Sequence, residues 1–291
     1  MKYTAMKNNN IFNMKRFWTY FMSDIKRSVS DFGLSMLLIS LTGVIFYMIA
    51  SFCNLMFQGT WEGPGIGARI FVFFIAMFVL FTSCPVKCYG RLTERKAGSS
   101  WILLPVSRFE KYLSMLIVTV ILIPAMTVGV YMSADVVMCF LDKTCGASII
   151  SAGNEIYVKM MEASLEADGI NSAYATKEFI SQISNPWLYL DDVLSIPLTF
   201  LLGALVFKNR KTAKTLLAII IFSTAGGVLM TPVVSHYLKE TIGTIDSAEG
   251  LNRMFNSGLF KNTALIDTIN DSIYNIAILI GIWFRIKNLK H

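Results

Sequence analysis

The chain of 291 residues is 54% hydrophobic and only 15% charged, with a mean hydropathy of +0.56. So much apolar surface cannot be hidden in a soluble core of this length, so the composition excludes an ordinary soluble domain and indicates an integral membrane protein. The net charge of +7 does not point to nucleic acid, because the basic residues flank apolar runs, where topology and anionic lipid headgroups already account for them.

The first element is amphipathic. Within 11–29, Phe17, Phe21, Ile25 and Val29 recur every four residues, with Trp18 beside them and Lys15, Arg16, Lys26 and Arg27 on the rest of the turn. This spacing predicts a helix lying in the cytosolic interface, with an ordinary soluble helix as the alternative. No short apolar region next to a small-residue cleavage site precedes the first span, so no cleavable signal peptide is expected.

A helix rising 1.5 Å per residue needs about 20 apolar residues to cross about 30 Å of hydrocarbon. Six candidates follow in order: 33–52, 68–84 with Arg69 at its mouth, 113–132, 190–207 with Asp191 and Asp192 at its start, 215–234, and 273–284. The apolar part of the sixth covers only about 18 Å, so a crossing requires Asn270, Asp271 and Asn275 in or near the membrane. A re-entrant or interfacial segment is the alternative there. The N-terminus, 85–112, 208–214 and the C-terminal tail hold 19 of the 26 Lys and Arg but only Asp24, Asp31, Glu94 and Glu110 among the acids. That is a net +15 against −8 for the remainder, and the positive-inside bias places both termini in the cytosol with six crossings.

The expected fold is an all-α integral membrane protein. A single six-span domain, 1–291, comprises a cytosolic amphipathic N-terminus (1–31), a cytosolic coupling loop with a short helix (89–112) and a small exoplasmic helical cap (142–189). Within the cap, short helices are expected over 155–167 after Asn154 and 177–184 after Thr176. The stretch 235–267, with Gly243, Gly250 and Gly258, reads as a mobile loop with at most one helical piece. Both outer segments are read as solvated connectors in preference to lids.

The chain offers little chemistry of its own. Cys53, Cys139 and Cys145 fall toward the outer face, and Cys84 and Cys88 at the inner end of the second span. Cys139 and Cys145 could pair, but they are read as free buried thiols. With only His236 and His291 in the chain, neither a zinc site nor Ser-His-Asp catalysis is expected. No phosphate-cradling GxxxxGK[ST] occurs, so the chain is not expected to be an enzyme or to bind a cofactor, and any ATP must be bound by a partner.

The loop 89–112, YGRLTERKAGSSWILLPVSRFEKY, carries the strongest signal. A short helix with a Trp-Leu face is expected over 92–104, ended by Pro105. Ser107 and Glu110 have the spacing of a capping box, which makes a rigid elbow at the start of the third span. Glu94, Gly98, Leu103, Leu104, Pro105, Ser107, Arg108 and Glu110 together resemble the motif before the third span in membrane subunits of ATP-binding-cassette exporters. The match is to the type-2 permease family, and especially to variants associated with Bacteroidota. The resemblance implies a bacterial inner-membrane, multi-pass permease for efflux, paired with a second copy or a paralogue and with a separate ABC ATPase subunit. Arg91, Leu92, Glu94, Arg95, Lys96, Gly98, Trp101, Leu103 and Leu104 would then be the ATPase-docking helix, and Pro105, Ser107, Arg108 and Glu110 the elbow that transmits its motion. Two other classes of function stay open: a self-sufficient ion- or proton-coupled transporter or channel using Asp135, Asp191, Asp192 and Asp271, and a non-transporting scaffold or immunity-type protein.

Overall fold

The computed structural model describes residues 12–93, 101, 103–151, 186–242 and 263–288, and every regular element among them is helical. They are α1 (Met14–Ser40), α2 (Thr42–Gln58), α3 (Ile66–Tyr89), α4 (Arg108–Leu116), α5 (Ile123–Leu141), α6 (Pro186–Val206), α7 (Lys211–Ile242) and α8 (Thr263–Lys287). Four stretches of the described residues are long and apolar enough to cross a membrane: Met14–Gln58, Ile66–Thr93, Arg108–Leu141 and Lys211–Leu229. The apolar part of α6, Val193–Val206, is shorter than that, and α8 runs 25 residues.

The N-terminal amphipathic stretch is not a separate helix. No proline interrupts 14–40, so α1 carries it straight into the first apolar run, and the break falls later, at Leu41 (φ −89, ψ −2). There Ser40 Oγ donates to the Met36 carbonyl at 2.8 Å and Thr42 Oγ1 to the Ile39 carbonyl at 2.6 Å. Such side-chain donors compete for the helix's own acceptors and bend it. The face that α1 buries is Phe17, Tyr20, Phe21, Asp24, Ser28 and Phe32, whereas Trp18 and Val29 are exposed. The expected stripe is thus correct at Phe17 and Phe21 but rotated at its end, because Asp24 is drawn inward by the hydroxyls of Tyr89 and Ser114 on other helices.

The third span contains a π-helical stretch, Ile117–Leu122, between α4 and α5. Pro124 has no N–H, and its ring crowds the carbonyl one turn back. The wider turn relieves that crowding, and the Ile123 N–H reaches back to the Val118 carbonyl. α7 continues to Ile242, past the point at which a loop was expected to begin, because 235–242 contains neither glycine nor proline. The expected cap helices 155–167 and 177–184 lie outside the described residues.

α6 is central and packs along α8 and α3, while α7 leans on α6. The closest approach is at Gly203, where a Cβ would lie 2.7 Å from Thr215 Cγ2. Only a residue without a side chain lets α7 sit so near. The core runs through Phe32, Leu80, Met115, Val118, Leu201 and Ile282, all nearly fully buried. Around it, Leu34, Phe57, Phe71, Phe74, Phe140 and Phe222 point outward. An apolar exterior of this kind is compatible with a lipid-facing surface and would be a liability in water.

Candidate functional site

Two clusters of buried polar groups hold opposite ends of the bundle. At one end the starts of α1 and α4 meet the end of α3. Ser107 Oγ accepts from the Glu110 N–H at 3.2 Å, and Glu110 Oε2 accepts from the Ser107 N–H at 2.9 Å, so the two residues form a complete capping box. The same carboxylate, fully buried, also accepts from the Asn13 N–H and from Arg16 Nη2 on Oε1, both at 2.8 Å. One residue therefore caps α4 and fastens it to the first turn of α1. The charge is acceptable inside because its oxygens are surrounded by donors and one of those donors is a guanidinium.

A second carboxylate lies two turns further along α1. Asp24 Oδ2 accepts from the hydroxyls of Tyr89 on α3 and Ser114 on α4, both at 2.7 Å, and Oδ1 from Arg27 Nη2 at 2.7 Å. Tyr89 and Ser114 are fully buried, and the Arg27 guanidinium lies 5.3 Å over the Tyr89 ring. Asp24 joins three helices at a single point.

The loop between α3 and α4 returns to this cluster. Trp101 is 4% exposed, and its Nε1 donates to Tyr20 Oη at 3.1 Å. Lys111 Nζ donates to the Trp101 carbonyl at 2.7 Å and lies 4.9 Å over the indole. Trp101 is thus an internal anchor of the loop. Leu92 is buried as well, in a short 3₁₀ turn, Gly90–Thr93. Leu103, by contrast, is 81% exposed and Leu104 40%, next to exposed Pro105 and Arg108. Arg91 reaches Asp31 at 3.5 Å on the surface. Glu94, Arg95, Lys96 and Gly98 lie outside the described residues. Lys211 Nζ donates to the Gly90 carbonyl, and Tyr112 Oη donates to the Leu279 carbonyl at 3.2 Å, so α7 and α8 are fastened at this end too.

The other end holds the only described ion pair with both partners almost fully buried. Arg69 Nη1, on the first turn of α3, donates to Asp135 Oδ1 at 2.8 Å, and Asp135 Oδ2 accepts from the Ile149 N–H at 2.7 Å. Arg69 Nη2 donates to the carbonyls of Cys145 and Ala147 at 3.0 and 2.6 Å. Cys139 and Cys145 are joined as a disulfide, which corrects the expectation of free thiols: the short turn after α5 brings Cys145 back beside Cys139. Close by, Asp142 accepts from Tyr47 Oη and Trp61 Nε1 on Oδ2, both at 2.7 Å, and from the Thr144 N–H and hydroxyl on Oδ1. These bonds, the Thr144 hydroxyl first, hold its carboxyl well below the usual range.

Sequence reasoning did not anticipate Asp24 or the Arg69–Asp135 pair. Each had a signal. Asp24 falls three and four residues after Phe21 and Tyr20, on the aromatic face of an otherwise basic helix. Arg69 and Asp135 are opposite charges in consecutive spans, near the ends that an up-and-down chain brings together.

No family model, curated protein or solved structure matches this chain. What the helices and their polar links define is the class, a helical chain with several apolar helices compatible with a multi-pass membrane protein.

Proposed function

We propose that this chain is the six-span membrane subunit of an ATP-driven exporter in a bacterial inner membrane, with both termini in the cytosol. It works beside a second copy or a paralogue, and a separate ATPase docks on the 89–112 loop. The observation that carries this reading is the pairing of an exposed apolar tip with a rigid elbow. Leu103 and Leu104 project from the basic end of the bundle, where a protein partner would cover them. A push on them enters α4 through Pro105 and Ser107 and reaches α1 through Glu110 and Arg16. The orientation is supported by the location of the basic residues. Lys15, Arg16, Arg91, Arg108, Lys111, Lys211 and Arg285 outnumber Asp24, Asp31 and Glu110 at this end, while at the opposite end Glu62, Asp135 and Asp142 stand against Arg69 and Lys143. α6 and α8 supply the remaining two crossings in this reading. The ion-coupled alternative loses one of its four carboxylates, since Asp135 is held by Arg69 and by the Ile149 N–H.

Because Trp101 is internal, its replacement would disturb the chain's own packing, and the docking test falls on Leu103. Co-purification of the ATPase encoded beside this chain is compared for wild type and Leu103→Asp at equal membrane abundance. The expected result is at least a tenfold loss of complex; unchanged yield ends the docking assignment. A membrane-impermeant thiol probe applied to intact cells should label a cysteine introduced at Ser164 or Ser247 and not one at Thr212. Labelling at Thr212 ends the orientation.

A further inference from the structure

The disulfide between Cys139 and Cys145 has an uneven environment. Cys139, on the last turn of α5, is partly exposed, whereas Cys145 is 5% exposed. Arg69 Nη1 lies 2.9 Å from Cys139 Sγ and 3.0 Å from Cys145 Sγ, and Arg69 is itself 2% exposed. A disulfide sulfur is a weak acceptor and does not need a cation. A thiolate gains more from one, and although Asp135 offsets part of the charge of Arg69, a buried guanidinium N–H at this distance donates to the sulfur where water does not compete. Arg69 also holds the Cys145 and Ala147 carbonyls, so the turn keeps Cys145 beside the cation whether or not the sulfurs are joined.

We infer that Cys139 and Cys145 are a redox-active pair at the outer end of the bundle, attacked at Cys139 by an external dithiol and releasing Cys145 as a thiolate held by Arg69. In the first step a thiolate of the dithiol bonds to Cys139 Sγ, the Cys139–Cys145 bond breaks, and its electron pair leaves on Cys145 Sγ. In the second, the other thiol of the reagent loses its proton to water and attacks the mixed disulfide, and Cys139 departs as a thiolate that takes a proton. Two electrons reduce the pair and the reagent becomes a disulfide. Arg69 reaches both sulfurs, so it is access that sets the direction of attack: Cys139 is open to the reagent and Cys145 is buried. The charged and titratable groups of this cluster include Arg69 of α3, Tyr131, Asp135 and Cys139 of α5, Tyr47 of α2, and Asp142 and Lys143 of the turn. Both carboxylates are already engaged, Asp135 by Arg69 and Ile149, and Asp142 by Tyr47, Trp61 and Thr144.

The oxidising surroundings of this pair rest on the outward orientation proposed above, but the exchange chemistry does not, and it is tested on the purified full-length chain in detergent. A monothiol, 2-mercaptoethanol, is added briefly to wild-type protein, free thiols are quenched with N-ethylmaleimide, and the peptides are read by mass spectrometry. The expected result is the mercaptoethanol adduct on Cys139 and the maleimide on Cys145, with both blocked from maleimide before the monothiol is added. The reversed assignment, or maleimide on either residue without reductant, overturns the inference. In Cys139→Ser, the rate of Cys145 alkylation by iodoacetamide is followed against pH with Cys53 of the same chain as the reference thiol. Its midpoint should fall at least about one pH unit below that of Cys53, or about tenfold more thiolate near neutral pH. An equal or higher midpoint removes the role given to Arg69.

Discussion

Replacing Asp24 with Ala tests whether one carboxylate holds α1, α3 and α4 together. Three hydrogen bonds to a charged acceptor are lost, and each such bond contributes about 1.5–3 kcal/mol in isolation. Their sum overstates the effect. Arg27 keeps 36% of its side chain exposed and regains water, so its share is screened and small. Tyr89 and Ser114 cannot do so, being fully buried, and their hydroxyls are left without the acceptor they had. Removing one partner of a buried charged network costs about 3–5 kcal/mol, and that range is adopted for Asp24→Ala. The assay is thermal unfolding in detergent, read by a maleimide dye that brightens as the Cys84 and Cys88 thiols, 1% and 4% exposed, become accessible. At about 2–4 °C per kcal/mol, the midpoint should fall by about 10 °C. Asp24→Asn keeps an acceptor oxygen and should lose less. Adding Tyr89→Phe to Asp24→Ala should recover about 1 kcal/mol, since it removes one of the two stranded hydroxyls. A midpoint for Asp24→Ala within about 2 °C of wild type, less than about 1 kcal/mol, would refute the reasoning. So would a double variant in which the two losses simply add.

Two further expectations follow from single contacts. Gly203→Ala places a Cβ against Thr215 and should destabilise by about 1–3 kcal/mol, with part of the loss recovered in Gly203→Ala/Thr215→Ala, as measured by the same dye assay. No recovery would show that the two helices do not touch there. For Asp142 the folded carboxyl titrates below its ordinary value of 3.8, so its contribution is fully present above that value and is lost as pH falls through the lower one. Emission from Trp61, which donates to Asp142, should therefore stay steady as pH falls through about 4, where ordinary carboxyls protonate, and change only at lower pH. In Asp142→Asn the acid transition of Trp61 should be absent, and an unchanged transition would assign it to another group.

Periodicity and turn chemistry were legible in the sequence, and partner choice across the bundle was not. The apolar runs placed the helices because length and composition alone decide whether a segment can cross a membrane. The Ser107–Glu110 box was legible because both of its partners lie within one turn, so no tertiary information is needed. The break at Leu41 was not, since Ser40 and Thr42 are ordinary span residues until their hydroxyls turn back onto the helix. The orientation of Trp101 was also hidden. A tryptophan in a basic loop reads as a surface anchor, and only the folded chain brings Tyr20 and Lys111 close enough to claim its indole and its carbonyl.

In the docking reading proposed above, the burial of Trp101 changes how the loop would act. Had Trp101 and Leu103 both faced outward, the loop would be a loose hydrophobic handle, and a push on it would be spent on rotating the loop against the bundle. With the indole held by Tyr20 of α1 and its carbonyl by Lys111 of α4, the exposed Leu103 sits two residues beyond a point fixed to both helices. Glu110 ties the same two helices again, to Arg16 and to the Asn13 amide. With the Asp24–Ser114 bond these make three attachments between one pair of helices, which keep them from pivoting about any one. In that reading a displacement of Leu103 would pass to α1 and α4 together, and the nearest place for the third span to yield would be the π-helical stretch Ile117–Leu122, where the backbone bonds depart from regular α-helical spacing.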